Sequence, residues 1–172
     1  MAETVKLAFD DGWRTVQLGD DPNRVIRINP TDTGFMKRFS ELGDNAKKIS
    51  EKYGDIDLSR IAELKDLDPD APDFDKLKAA AENIDKLDLA IRELIDAAFG
   101  QPISGTVFGE TWCISPVHHG EPMYMHFLDV IGEYIASEIG RQNKQSAEKI
   151  SKYTAAAKSV PKFAKNKKRK KR

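Results

Sequence analysis

Cys113, His118 and His119, with Glu110 and Glu121 beside them, fall within one twelve-residue window, and these are the residue types that hold zinc. Zinc sites pair their ligands at short intervals such as C-x2-C or H-x3-H, and two adjacent histidines point in different directions. The spacing here therefore reads as a polar loop. Cys113 with a histidine neighbour could also be a nucleophile, but no third, orienting group accompanies it, and a small buried thiol is the expectation. Gly100 and Gly105 have the separation of the two glycines of a phosphate-binding loop. Thr106-Val107 follow them where a lysine and a hydroxyl residue are required, so that chemistry is excluded. The acidic stretch from Asp55 to Asp75 raises calcium, yet it lacks the spaced aspartates, central glycine and closing glutamate of an EF-hand loop. No catalytic, cofactor-binding or metal-ligating set emerges, and the expectation is a protein without enzymatic activity.

Charge is segregated along the chain. The 28 basic and 28 acidic residues cancel, but residues 158–172 hold nine bases and no acid, which leaves 19 bases against 28 acids, or −9, over residues 1–157. The end of the chain, with Lys165, Lys167, Lys168, Arg169, Lys170, Lys171 and Arg172, is a cationic string that cannot bury itself and is expected to be disordered. Its one aromatic residue is Phe163, so any contact with nucleic acid would be electrostatic and blind to sequence. The longest apolar runs are a few residues each, so no membrane-spanning segment is expected. The first residues lack a basic start and apolar core, and Cys113 is the only cysteine; both point to a reduced, cytoplasmic setting.

The elements that must position these residues follow from periodicity. Val5–Phe9, Trp13–Leu18 and Val25–Ile28 read as three short strands separated by Asp10-Asp11-Gly12 and by residues 19–23, an antiparallel meander over residues 1–30. Asn29-Pro30-Thr31-Asp32 ends the last strand and offers a cap for a helix from Thr33 to Tyr53. Its apolar face is Phe35, Met36, Phe39, Leu42, Ala46, Ile49 and Tyr53, and Gly54 is placed to end it. Residues 55–73 form an Asp/Pro-rich linker with a short helix over residues 58–64. A long amphipathic helix follows, with Phe74, Leu77, Ala81, Ile84, Leu87, Ile91, Leu94, Ile95 and Ala98 on one stripe. A loop over residues 99–122 is bounded by two aromatic–glycine pairs, Phe99-Gly100 and Phe108-Gly109. The last helix opens at Met123 and presents Tyr124, Phe127, Leu128, Ile131, Ile135 and Ile139. Beyond Gly140 the pattern thins, and the chain either stays helical on propensity or projects toward a partner. The expected fold class is α+β, mainly α: a short N-terminal antiparallel β-meander packed on a three- to four-helix bundle spanning 31–157, with a disordered basic tail over 158–172.

Residues 87–135, from KLDLAIRELIDAAFGQPISGTVFG to MHFLDVIGEYI, resemble the small tail assembly chaperones of long-tailed, siphovirus-like bacteriophages. That group pairs an amphipathic helix with a loop bounded by two Phe-Gly pairs and a closing helix rich in Phe, Leu and Ile. Phe99, Gly100, Phe108 and Gly109 match the loop anchors, and Phe127, Leu128 and Ile131 match the closing helix. The resemblance covers under a third of the chain; the strand-forming N-terminus and Pro102 inside the loop depart from the group's pattern.

What the resemblance implies is a non-enzymatic viral protein of tail assembly. Such a protein binds the long, helical tape measure protein and keeps it soluble during virion morphogenesis until tail tube protein displaces it. It implies a homo-oligomer, no cofactor, a place in the host cytoplasm and absence from the mature virion. The anchor residues would then serve structure or the client interface. Genes of the group commonly yield a longer frameshift product, and Lys167-Lys168 and Lys170-Lys171 correspond to codons suited to slippage. Two alternatives stand beside this reading. One is a nucleic-acid-binding accessory protein acting through its basic tail; the other is a structural head–tail or tail component retained in particles.

Overall fold

The computed structural model describes residues 5–53, 70, 74–117 and 120–159, with side chains as far as Lys152. Eight elements are formed among them. A first hairpin pairs β1 (Arg14–Gln17) with β2 (Val25–Ile28), helix α1 covers Thr33–Tyr53, and helix α2 covers Phe74–Phe99. A short helix α3 spans Ser104–Phe108, a small ladder joins β3 (Pro116–Val117) to β4 (Glu121–Pro122), and helix α4 runs from Met123 to Ser159. The fold class is as the periodicity indicated: mainly helical, with a short antiparallel sheet near the N-terminus.

The sheet is smaller than a three-stranded meander. β1 and β2 pair antiparallel with Arg14 opposite Ile28 and Gln17 opposite Val25, whereas residues 5–9 form no strand and lie exposed. The reason lies in residues 10–13, where Asp10-Asp11-Gly12 would have to fold the chain back. Instead Asp11 and Gly12 are tied to the turn after β2. The Asn29 side-chain amide donates to the Asp11 carbonyl at 3.0 Å, and Gly12 takes a φ of +81° against Thr31 and Asn29. A Cβ at Gly12 would lie 2.5 Å from the Thr31 hydroxyl oxygen, so only glycine fits.

Helix α1 begins where the cap was expected. The Asp32 carboxylate accepts the backbone N–H groups of Gly34 and Phe35 at 2.9 and 3.2 Å, satisfying two of the donors a helix start leaves open. Phe35, Leu42 and Ala46 face inward against α2, whose stripe Leu77, Ile84, Leu87, Ile91, Ile95, Ala98 and Phe99 is buried. Ile26 and Ile28 of β2 close one side of this core, and Tyr124, Phe127, Ile131 and Ile135 of α4 are buried with them. Five phenylalanine rings form a connected cluster. Phe35 and Phe39 both lie against Phe99, Phe99 against Phe127, and Phe127 against Phe108, with ring centroids 5.2–6.1 Å apart.

The chain divides into two units, Met1–Ile135 and Ala136–Arg172, so the boundary falls inside α4. In the second unit α4 continues to Ser159, with Ile150 65% exposed and Arg141 bonded to Glu138 at 2.7 Å. A helix polar on nearly all sides is held by propensity and by such pairs. Among the described residues no helix is long and apolar enough to cross a membrane. Gly54, the linker helix expected at 58–64, His118, His119 and the basic residues Lys165 to Arg172 lie outside the described residues.

Candidate binding surface

The two Phe-Gly pairs end two helices. At the end of α2, Gly100 has a φ of +68°, its N–H donates to the Ala97 carbonyl at 3.3 Å, and Gln101 N–H donates to the Asp96 carbonyl at 3.2 Å. This paired arrangement is a Schellman cap, which satisfies helix-terminal carbonyls through a left-handed residue. Gly109 ends α3 with φ +56° and ψ −134°, its N–H donating to Gly105. Arg38 Nε donates to the Ala98 carbonyl at 2.9 Å, placing a cation at the negative end of α2. The Arg24 guanidinium does the same for α3, donating to the carbonyls of Thr106 and Val107.

Between those caps, the segment from Gly100 to Cys113 is fastened to a polar line on α2 that the apolar pattern does not show. Asp96 receives both the backbone N–H and the hydroxyl of Ser104, at 2.7 and 2.8 Å. Arg92 pairs with Asp88 at 2.7 Å, and its guanidinium also donates to the carbonyls of Gly109 and Thr111 at 3.2 and 2.6 Å. It lies 5.4 Å from the centre of the Phe108 ring. Asp88 accepts the Cys113 N–H at 2.5 Å, and Asp85 accepts the indole N–H of Trp112 at 3.1 Å. Asp85, Asp88, Arg92 and Asp96 are spaced by three, four and four, which puts them on one side of α2. That spacing was present in the sequence; only the loop that receives it was not.

Cys113 sits at the end of this line, fully buried, its thiol 3.7 Å from the Asp88 carbonyl. Burial, and then the neighbouring Asp88, push the thiol well above its ordinary range. A thiol held protonated is a poor nucleophile. Among the described residues no buried side-chain nitrogen or oxygen lacks a partner.

Of the anchor residues, Phe99, Phe108, Phe127 and Ile131 are buried, at 5, 4, 8 and 2% exposure, and support the surface from below. Leu128 is half-buried and reaches a groove. Two apolar grooves flank the first turns of α4. The first, about 580 Å³, lies between α1 and α4, with Phe39, Leu42, Tyr124, Met125 and Leu128 along it and Lys47 and Asp129 at its polar edge. The second, about 460 Å³, lies between the first hairpin and α4, with Val16 and Leu18 facing Phe127, Val130 and Ile131. Met125 and Val130 are 44% and 52% exposed, so apolar surface in each groove meets water. These grooves can bind apolar side chains. No protein-family model, curated protein or solved structure matches the chain.

Proposed function

We propose that this chain is a non-enzymatic assembly chaperone that holds an amphipathic helical segment of a longer client in the groove between α1 and α4. The observation that carries this reading is the groove itself: two helices supply an apolar trough whose edges bear Lys47 and Asp129. Such a trough suits a third helix that has an apolar stripe between charged flanks. Met125 adds an unbranched side chain that adapts to different apolar partners, which a client presenting many unequal segments requires.

The resemblance of residues 87–135 to phage tail assembly chaperones supplies the client: the tape measure protein, long, helical and prone to aggregate alone. The acidic surplus over residues 1–157 favours solubility of the loaded complex by mutual repulsion. Co-expression tests the proposal. The intact chain should raise the soluble fraction of a tape measure protein several-fold, and Met125→Glu should abolish the gain while leaving the circular dichroism spectrum unchanged. A client equally soluble with Met125→Glu would refute the α1–α4 groove as its site.

A further inference from the structure

Residues 5–9, Val-Lys-Leu-Ala-Phe, alternate large apolar and smaller or charged residues in the pattern of a strand with one buried face. In the structure they form no strand, and Val5, Leu7 and Phe9 are 74, 83 and 82% exposed. The same molecule holds the matching half of a sheet. Among the described residues β1 pairs only with β2. The second groove is bordered by Val16, Gln17, Leu18 and Gly19 in unbroken succession, whereas from the β2 side only Arg24 reaches it. The groove therefore begins beside the last two residues of β1 and continues along Leu18 and Gly19, so the end of the strand's outer edge stands next to an apolar floor.

We infer that residues 5–9 of a second copy of this chain add as a strand to the outer edge of β1 and bury their apolar face in the groove between β1 and α4. A chain's own segment is poorly placed to do this. Folding back would need a reversal at residues 10–13, and these are held to the turn after β2 by the Asn29–Asp11 bond and by the seat of Gly12. Strand addition couples ladder hydrogen bonds to side-chain pockets spaced two residues apart, which is what this edge and trough supply. Antiparallel addition centres Leu7 over the groove. It also brings Lys6 toward Asp20 and Asp21 in the turn that follows β1, placing opposite charges together. Exchanged reciprocally, the two arms close a symmetric pair in which the outer edge of each β1 is covered. This inference does not depend on the client proposed above, since it uses the other groove.

Mixed oxidative cross-linking of the full chain tests it. Leu7→Cys and Val130→Cys are made as separate variants; both positions are exposed, so folding should be preserved. Mixed in equal amounts under mild oxidation, they should form a disulfide-linked species of twice the chain mass that contains one copy of each variant. Absence of that mixed species overturns the inference. So does a chain carrying both substitutions that oxidises at monomer mass, because its own arm would then fill the groove. Sedimentation supplies the second readout. Leu7→Asp and Phe9→Asp should each raise the dissociation constant of the parent oligomer at least tenfold, and an unchanged constant, or a parent that stays monomeric at high concentration, overturns it equally.

Discussion

Arg92 carries more of the loop than any other side chain, because one guanidinium serves Asp88, the carbonyls of Ser104, Gly109 and Thr111, and the face of Phe108. Its pair with Asp88 is mostly buried, with side-chain exposures of 16% and 12%. Removing one member of such a pair leaves the other charged and poorly solvated. Arg92→Ala should destabilise the protein by about 3–5 kcal/mol in urea unfolding. Arg92→Lys should recover little of that, since a single ammonium cannot reproduce the planar fork. A loss under about 1 kcal/mol would show that the loop is held by its apolar contacts alone. Cys113 yields a pH prediction with a definite sign. Its native thiol stays protonated above the point where the unfolded thiol ionises, about pH 8.5, so there the native state binds more protons than the unfolded state. Stability should therefore fall as pH rises past that point, and Cys113→Ala should flatten the slope. The native thiol should also resist maleimide until denaturant is added.

At the scale of the element, the two glycines that close α2 and α3 carry different demands. A Cβ at either position would meet no atom within 4 Å, so substitution costs only what the backbone charges. Gly100 sits in the ordinary left-handed region, where Gly100→Ala should cost about 1–2 kcal/mol. Gly109, with ψ at −134°, occupies territory that is nearly glycine's alone, and Gly109→Ala should cost about 1–3 kcal/mol and more than its counterpart. Urea midpoints of the two variants give the order directly; a reversed order would refute the backbone argument. Phe127 ties α4 to both helix ends by lying between Phe99 and Phe108 at 6.0 and 5.9 Å. Phe127→Ala should cost about 3–5 kcal/mol. A cost below about 1 kcal/mol would mean that α4 is seated by other contacts.

For the molecule as a whole, the proposed grooves and the cationic tail predict opposite responses to salt. Binding through nine positive charges would collapse between low and moderate ionic strength, because counterions compete for the contact. Burial of a client's apolar stripe persists or strengthens in salts excluded from protein surfaces. Deleting residues 160–172 should therefore leave client solubilisation intact, and raising sodium sulfate should not weaken it. Loss of activity on deletion, with the body still folded, would move the function to the charged tail or to a longer frameshift product.

Periodicity by itself determined the three long helices, because a stripe spaced by three and four admits few other structures. Thr33–Tyr53 and the starts at Phe74 and Met123 emerge at the residues the pattern indicated. The two Phe-Gly pairs and the resemblance singled out Phe99, Phe108, Phe127, Leu128 and Ile131; all of these are buried except Leu128, which is half-buried. Other features depended on partners far away in the chain. Whether Val5–Phe9 becomes a strand turned on Asn29 and Thr31 holding residues 11 and 12, a contact no local pattern contains. The helix at Ser104–Phe108 and the ladder between 116–117 and 121–122 lay in a stretch that read as loop. Such short elements have too few residues to show a period, and Asp96, Arg92 and Asp88 help hold the segment they sit in. The grooves belong wholly to the tertiary structure. An apolar residue in sequence is a candidate for the core, and only packing decides that Met125 and Val130 keep one side in water while Phe127, between them, does not.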